Sequence, residues 1–102
     1  MPVELLYWEE CPSHPEALAL LQQVLTEHGH DVGVEVREVT TDAEAAELSF
    51  PGSPTIRING HDVDPAGAKA RPALTCRIYH LPDGRVSPVP ARETIEEALR
   101  WL

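Results

Sequence analysis

Apolar and polar positions along the chain follow two spacings, one typical of strands and one typical of helices. Residues 3–8 (VELLYW) form a nearly continuous apolar run, which predicts a short strand buried on both faces. Between His14 and His28 apolar residues recur every three or four positions, which predicts an amphipathic helix that ends near Gly29. Residues 32–39 (VGVEVREV) alternate apolar with charged side chains, so a second strand is predicted there.

Proline and glycine divide the rest of the chain. Residues 61–74 are rich in Ala, Pro and Gly and are predicted to form a loop. The other predicted elements are a short helix at 41–48 capped by Thr41 or Asp42, a third strand at 55–58 that ends at the Asn59-Gly60 turn, a fourth strand at 75–81 and a final helix at 92–102. The order βαβαββα predicts an α/β domain spanning residues 1–102, with a parallel first strand pair and an antiparallel last pair.

Charge excludes some partners. The chain of 102 residues has a net charge of -9, which argues against binding to nucleic acid or to an anionic membrane surface. Residues 1–50 hold 11 acids and 1 base, and residues 51–102 hold 6 acids and 7 bases. We interpret the acidic half as a solvated face.

The expected compartment decides how the cysteines are interpreted. No apolar run approaches the ~20 residues of a membrane span, and the N-terminus lacks the pattern of a secretory signal. We therefore predict a cytoplasmic protein. In a reducing cytoplasm a permanent disulfide is unusual, so Cys11 and Cys76 point to catalysis, redox sensing or metal binding.

Cys11 stands between the first predicted strand and the first predicted helix. Unpaired amides and the helix dipole at a helix N-terminus favour the thiolate, which predicts a Cys11 pKa below the ordinary ~8.5. His14, one turn along, can add a positive charge or act as a base, whereas Glu9 and Glu10 oppose the thiolate. The alternative interpretation is that none of these residues is reactive. Cys11 would then be a buried structural residue, His14 a solvated residue of the first helical turn, and Cys76 an apolar residue of a strand.

Two short segments carry a family resemblance. WEECPSH at 8–14 and GSPT at 52–55, in this element order, resemble the thioredoxin fold. The resemblance implies a three-layer sandwich around a four-stranded mixed sheet, with a cis-proline at Pro54 facing Cys11. It also implies that substrate contacts come from Trp8, Pro12, Ser13, Ser53, Pro54 and Thr55. We interpret Tyr7 and Trp8 themselves as residues of the core edge near Cys11, not of a cofactor site, and no cofactor is predicted. Since His14 replaces the second cysteine of dithiol members, either Cys11 acts alone or Cys76 resolves its mixed disulfide.

A second resemblance involves Cys76. The segment TCRIYH at 75–80, with Trp8 and CPSH at 11–14, looks like a shortened version of the core of the alkylmercury lyases. That family uses two separated cysteines and an acid three residues after the first, which match Cys11, Cys76 and His14. Histidine differs from the family's aspartate in charge and geometry, so the proton donor departs from the family pattern.

Metal binding is the remaining chemistry of these residue types. The histidines are scattered and no paired Cys-x-x-Cys or His-x-x-x-His spacing occurs, so no structural zinc site is predicted. Two converging thiolates would instead suit a soft ion such as Hg(II) or Cu(I).

These observations favour a thioredoxin-like thiol protein that uses Cys11 for thiol–disulfide exchange or related soft-electrophile chemistry. Its partner would be a disulfide-bearing protein or a small thiol. The alternatives are an alkylmercury-lyase-like or soft-metal protein that uses both cysteines, and a non-catalytic binding module. We further predict that residues 61–74 return the chain over the sheet and bring Cys76 within roughly 10 Å of Cys11, near the range in which a disulfide closes.

Overall fold

The structure is a computed structural model that describes residues 3–102. Within this range the elements are β1 (Val3–Tyr7), α1 (His14–Glu27), β2 (Glu35–Glu38), α2 (Asp42–Glu47), β3 (Thr55–Ile58), β4 (His61–Asp62), a 3-10 helix (Pro65–Lys69), β5 (Tyr79–His80), β6 (Val86–Ser87), α3 (Arg92–Ala98) and a final 3-10 turn (Leu99–Trp101). The predicted α/β class is confirmed as a mixed sheet of four strands with three α-helices in the described chain.

The main sheet has the strand order β2-β1-β3-β4. β1 pairs with β2 in parallel, as predicted, and the register sets Leu5 opposite Val36. On its other side β1 pairs antiparallel with β3, where Leu5 faces Ile56. β1 is therefore a central strand, which is why its sequence is almost wholly apolar.

Apolar side chains cover both faces of this sheet. Val3 and Leu5 point to one face and pack with Leu21 of α1 and Ile95 of α3. Leu6 points to the other face, in a cluster of Val39, Ala45 and Phe50 beneath α2. The alternation of side chains along β1 thus places α1 and α3 on one side and α2 on the other.

Local signals set several element ends. The α1 helix stops where predicted, because Gly29 adopts a left-handed φ of 76°. Thr41 caps α2 by accepting a hydrogen bond from the Glu44 amide at 3.1 Å. The second strand is shorter than predicted and covers Glu35–Glu38 alone, an exposed edge of the sheet.

The predicted fourth strand at 75–81 is wrong in most of its length. Asn59 and Gly60 both have positive φ and form a tight two-residue turn, so His61–Asp62 fold straight back onto β3 and become the fourth strand. Of residues 75–81, Tyr79–His80 form β5, which pairs with β6 in a separate antiparallel hairpin. Among the described residues no helix is long and apolar enough to cross a membrane.

Candidate functional site

Cys11 lies in the turn that joins β1 to α1. Its amide donates to the Trp8 carbonyl at 3.0 Å, which closes the turn just before the helix. The side chain is buried, with 3% of its surface exposed. Its Sγ lies 3.6 Å from the hydroxyl of Ser13, the residue that precedes α1. The strand–helix junction therefore holds this sulfur beside the helix N-terminus and one hydroxyl donor.

The loop before β3 lies directly against Cys11. The Ser53-Pro54 peptide bond is cis, which confirms the prediction made from the GSPT segment. The Cys11 Sγ lies 3.5 Å from the Ser53 carbonyl oxygen, and the Trp8 amide donates to the Ser53 hydroxyl at 2.9 Å. These contacts tie the end of β1 to the cis-proline loop.

The same loop holds Cys76. The Ser53 amide donates to the Thr75 carbonyl at 2.8 Å, and the Arg77 amide donates to the Ser53 carbonyl at 2.8 Å. Cys76 thus sits in an extended segment bridged in parallel to Ser53, and it forms a disulfide with Cys11 at a Cα separation of 5.6 Å. The prediction that residues 61–74 return Cys76 to Cys11 is confirmed.

Gly52 permits this close approach. A Cβ added at Gly52 would lie 3.0 Å from the Arg77 Cβ, and its φ of +137° disfavours other residues. A glycine is therefore required for the Cys76 segment to reach Ser53.

Arg77 anchors the Cys76 segment in the interior. Its guanidinium donates to both carboxylate oxygens of Asp62, at 2.8 and 3.1 Å, and to the Thr55 hydroxyl at 3.1 Å. Both side chains of this ion pair are 7% exposed. Such a bidentate buried pair holds a segment in one geometry, because either partner alone would leave an uncompensated charge.

Tyr79 connects this anchor to the proline loop. The Arg77 guanidinium lies 4.4 Å from the centre of the Tyr79 ring, and the Tyr79 hydroxyl donates to the Pro54 carbonyl. Burial raises the pKa of Tyr79 far above its ordinary value, so the phenol stays protonated and remains a donor.

Sequence reasoning missed Arg77, Asp62 and Tyr79. In residues 75–81 hydropathy favours Cys76 and Ile78 as the inward face, yet both are exposed while Arg77 and Tyr79 are buried. The signal that was available is Gly67, where a Cβ would overlap the Asp62 carboxylate. A glycine between alanines in a loop does not by itself indicate which residues pack over it.

The remaining predicted site residues are His14, Trp8 and five residues of the turn before α1 and of the cis-proline loop. The His14 ring stacks on Tyr7 at 4.0 Å between centroids, and its Nδ1 lies 3.3 Å from the Cys11 carbonyl oxygen. Trp8 packs against the cluster beneath α2, at the core edge as predicted. The other members of the predicted set divide by exposure: Pro12 and Ser13 line an open groove, and Ser53, Pro54 and Thr55 are buried beneath the Cys76 segment.

The groove runs along the disulfide. It has a volume of about 460 Å³ and both cysteines form part of its wall. Its apolar lining includes Ile78 and Val86, which are 65% and 63% exposed. A larger open depression of about 620 Å³, around Asn59, His61 and Trp101, contains neither cysteine.

These contacts lead to a prediction about thiolate stabilisation in a Cys76→Ser variant. Replacing Ser13 with alanine should raise the Cys11 pKa, because the hydroxyl that can donate to the sulfur is lost. Replacing His14 with alanine should change this pKa less, since the described ring contacts are to a carbonyl oxygen and Tyr7. Ultraviolet absorbance of the thiolate against pH gives both values. A larger rise in the Cys11 pKa for His14→Ala than for Ser13→Ala would show that the imidazole is the main group that stabilises the thiolate.

Fold and site together define a small mixed α/β protein with a cysteine pair packed against a cis-proline loop. In residues 3–102 no three His, Cys, Asp or Glu side chains cluster as a metal site requires. Comparison of the chain with protein-family models, curated proteins and solved structures found no match.

Proposed function

We propose that this protein is a thioredoxin-like thiol–disulfide exchange protein whose working group is the Cys11–Cys76 pair. The observation that carries the proposal is the Cα separation of 5.6 Å between two cysteines that are 65 positions apart in sequence. The backbone bridge of residues 75–77 to Ser53 supports this separation independently of the sulfur–sulfur bond. The two cysteines would therefore stay within reach of each other when the bond is open.

The arrangement of elements supports the thioredoxin-like assignment. A cysteine follows β1, a helix crosses over to a parallel neighbour, and a cis-proline precedes the antiparallel β3. The chain differs from dithiol members in the position of its second thiol, which comes from residues 75–77 instead of the turn after β1. The exchange chemistry needs two thiols in reach of each other, not two thiols in one turn.

The reaction transfers two electrons. In the dithiol form one thiolate of the pair attacks a partner disulfide, forming a mixed disulfide and releasing one partner thiolate. The second cysteine then attacks the protein sulfur of that bond, which releases the other partner thiolate and closes Cys11–Cys76. The partner disulfide is reduced and the pair is oxidised. Held at disulfide distance, the second cysteine reacts intramolecularly and outcompetes free thiols. In the cytoplasm that the sequence predicts, the thiol pool would run the cycle in reverse.

Redox titration tests this function. The wild-type protein, equilibrated in buffers of reduced and oxidised glutathione and quenched with acid, should interconvert between two species that differ by two hydrogens. Cys11→Ser and Cys76→Ser should each give only glutathione adducts, since neither can close the internal bond. The double variant is the control for adducts at other sites. Dimers linked between chains, or adducts without closure in the wild type, would argue for a monothiol or a non-catalytic binding module.

A second function is supported by the same two sulfurs. Two thiolates on residues whose Cα atoms are 5.6 Å apart can coordinate one soft metal ion, as the resemblance to alkylmercury lyases suggests. Cleaving a carbon–mercury bond would also need a proton for the leaving carbon, and the matching residue His14 faces a carbonyl oxygen. Release of Hg(II) from phenylmercuric acetate, lost in both single variants, would favour this function over thiol exchange.

A further inference from the structure

We propose that the partner sulfur bonds to Cys76 and that Cys11 is the thiolate released, with the partner's neighbouring groups lying in the apolar groove beside Ile78 and Val86. This inference rests on the proposed function and assigns the two cysteines different roles in it. It reverses the order expected from the sequence, in which Cys11 meets the partner and Cys76 resolves.

Accessibility separates the two sulfurs. Cys11 is 3% exposed, in the turn that precedes α1 with its Sγ 3.5 Å from the Ser53 carbonyl oxygen, whereas Cys76 is exposed. An incoming thiolate must approach the sulfur that it attacks from the side opposite the bond being broken, so access decides which sulfur reacts. The exposure of Cys76 therefore favours attack there over attack at the buried Cys11.

Leaving-group chemistry favours the same direction. Attack on Cys76 releases Cys11, which lies at the N-terminus of a helix of 14 residues with the Ser13 hydroxyl 3.6 Å from its Sγ. The helix N-terminus and the hydroxyl stabilise a thiolate at Cys11 against the Ser53 carbonyl oxygen 3.5 Å from the same sulfur, and a better-stabilised thiolate leaves faster. Attack on Cys11 would instead release Cys76 from an extended segment, outside any helix.

The step is balanced as one bond broken and one formed. A partner thiolate attacks the Cys76 Sγ, the Cys11–Cys76 bond breaks, and its electron pair stays on the Cys11 Sγ. A second partner thiolate then attacks the partner sulfur of the mixed disulfide, which gives a partner disulfide and a Cys76 thiolate. In the opposite direction, the Cys76 thiolate attacks a partner disulfide and Cys11 displaces the remaining partner thiolate.

The groove indicates the class of thiol. Its exposed walls are Pro12, Ile78, Val86 and Pro88, and its charged member, Arg77, is already bound to Asp62 and Thr55. Among the described residues of its lining, the groove therefore offers no free cation to the carboxylates of glutathione. Apolar groups beside a partner cysteine would be removed from water there, which is favourable. The structure thus favours a peptide or protein cysteine flanked by apolar, uncharged residues.

Trapping the mixed disulfide tests the assignment. The oxidised wild-type protein is mixed briefly with excess thiol, quenched in acid, and digested at acidic pH so that disulfides cannot rearrange. The thiols are glutathione and a neutral peptide with leucines on both sides of its cysteine. We expect adducts at Cys76 to exceed those at Cys11 by about 10-fold or more, and the peptide to react faster than glutathione. As a second measurement, Cys11→Ser should react faster than Cys76→Ser with the symmetric disulfide of the leucine peptide, forming one protein–peptide disulfide and releasing one peptide thiolate.

The outcomes separate this inference from the function beneath it. Adducts mainly at Cys11 would overturn the assignment and leave thiol exchange standing. No reduction of the disulfide by either thiol would overturn the function itself.

A matched pair of variants tests the groove. Ile78→Glu should slow the reaction with the leucine peptide several-fold, and Val36→Glu, which changes another exposed apolar side chain outside the groove, should not. Equal rates for peptide and glutathione would refute the apolar preference.

Discussion

Replacing Asp62 with asparagine is expected to lower the free energy of unfolding by about 3–5 kcal/mol, because it leaves the Arg77 charge buried without its counter-charge. Arg77 and Asp62 are joined by two hydrogen bonds, and both side chains are 7% exposed. Asparagine keeps the size of the side chain, so the loss measures charge and hydrogen bonding instead of a cavity. Urea denaturation followed by circular dichroism gives the value.

The chain contains a matched control for this change. Arg85 and Asp83 form a second Arg–Asp ion pair, with 76% and 53% of their side chains exposed. Asp83→Asn should change stability by no more than about 1 kcal/mol, because water already solvates both charges. Similar small losses at Asp62 and Asp83 would show that the buried pair is not what anchors residues 75–77. If Asp62→Asn loses much stability, the Cys11–Cys76 disulfide should also form more slowly in this variant than in the wild type when both start from the reduced state.

Reduction of the Cys11–Cys76 disulfide should lower the free energy of unfolding by about 4 kcal/mol. The bond closes a loop between residues 65 positions apart, and a cross-link of that length removes much of the conformational freedom of the unfolded chain. The native state changes little, since Ser53 and Arg77 hold Cys76 in place without the bond. Urea denaturation with and without dithiothreitol measures the difference.

The control for this experiment is Cys76→Ser, whose stability should be the same with and without dithiothreitol. Linkage gives an independent check, because a bond that stabilises the folded state must also form more readily there. A difference of about 4 kcal/mol corresponds to a closure equilibrium about 10³ times more favourable in the folded protein than in urea. A stability difference below about 1 kcal/mol would mean that the native structure strains against the bond or that the reduced unfolded chain is already compact.

The positions of two site elements followed from local sequence. The turn before α1 places Cys11 at a helix N-terminus because an apolar strand ends at Trp8 and helical periodicity starts at His14. The place of the proline loop is marked by the GSPT segment, and the cis bond at Ser53-Pro54 that the family resemblance implied is present. Neighbouring residues dictate the backbone of the turn, whereas most X–Pro bonds are trans and the cis bond was expected from the family resemblance alone.

The surroundings of Cys76 did not follow from local sequence. Periodicity in residues 75–81 suggested a strand, but the chain there buries the charged Arg77 and leaves Ile78 exposed. That choice depends on Asp62, which the Asn59-Gly60 turn brings into β4, and on the space above Gly67. No window of residues around Cys76 contains those partners.

The sequence by itself therefore determined the α/β class and the parallel pairing of β1 and β2, and it singled out Cys11 and Cys76 as candidate reactive residues. Hydrophobic periodicity, helix-end signals and side-chain type are properties of short segments, so they do not depend on residues distant in sequence. Only the tertiary structure decided that Cys11 is buried and Cys76 is exposed. A buried charge is tolerated only where its counter-charge is already in place, and residues distant in sequence supply that place.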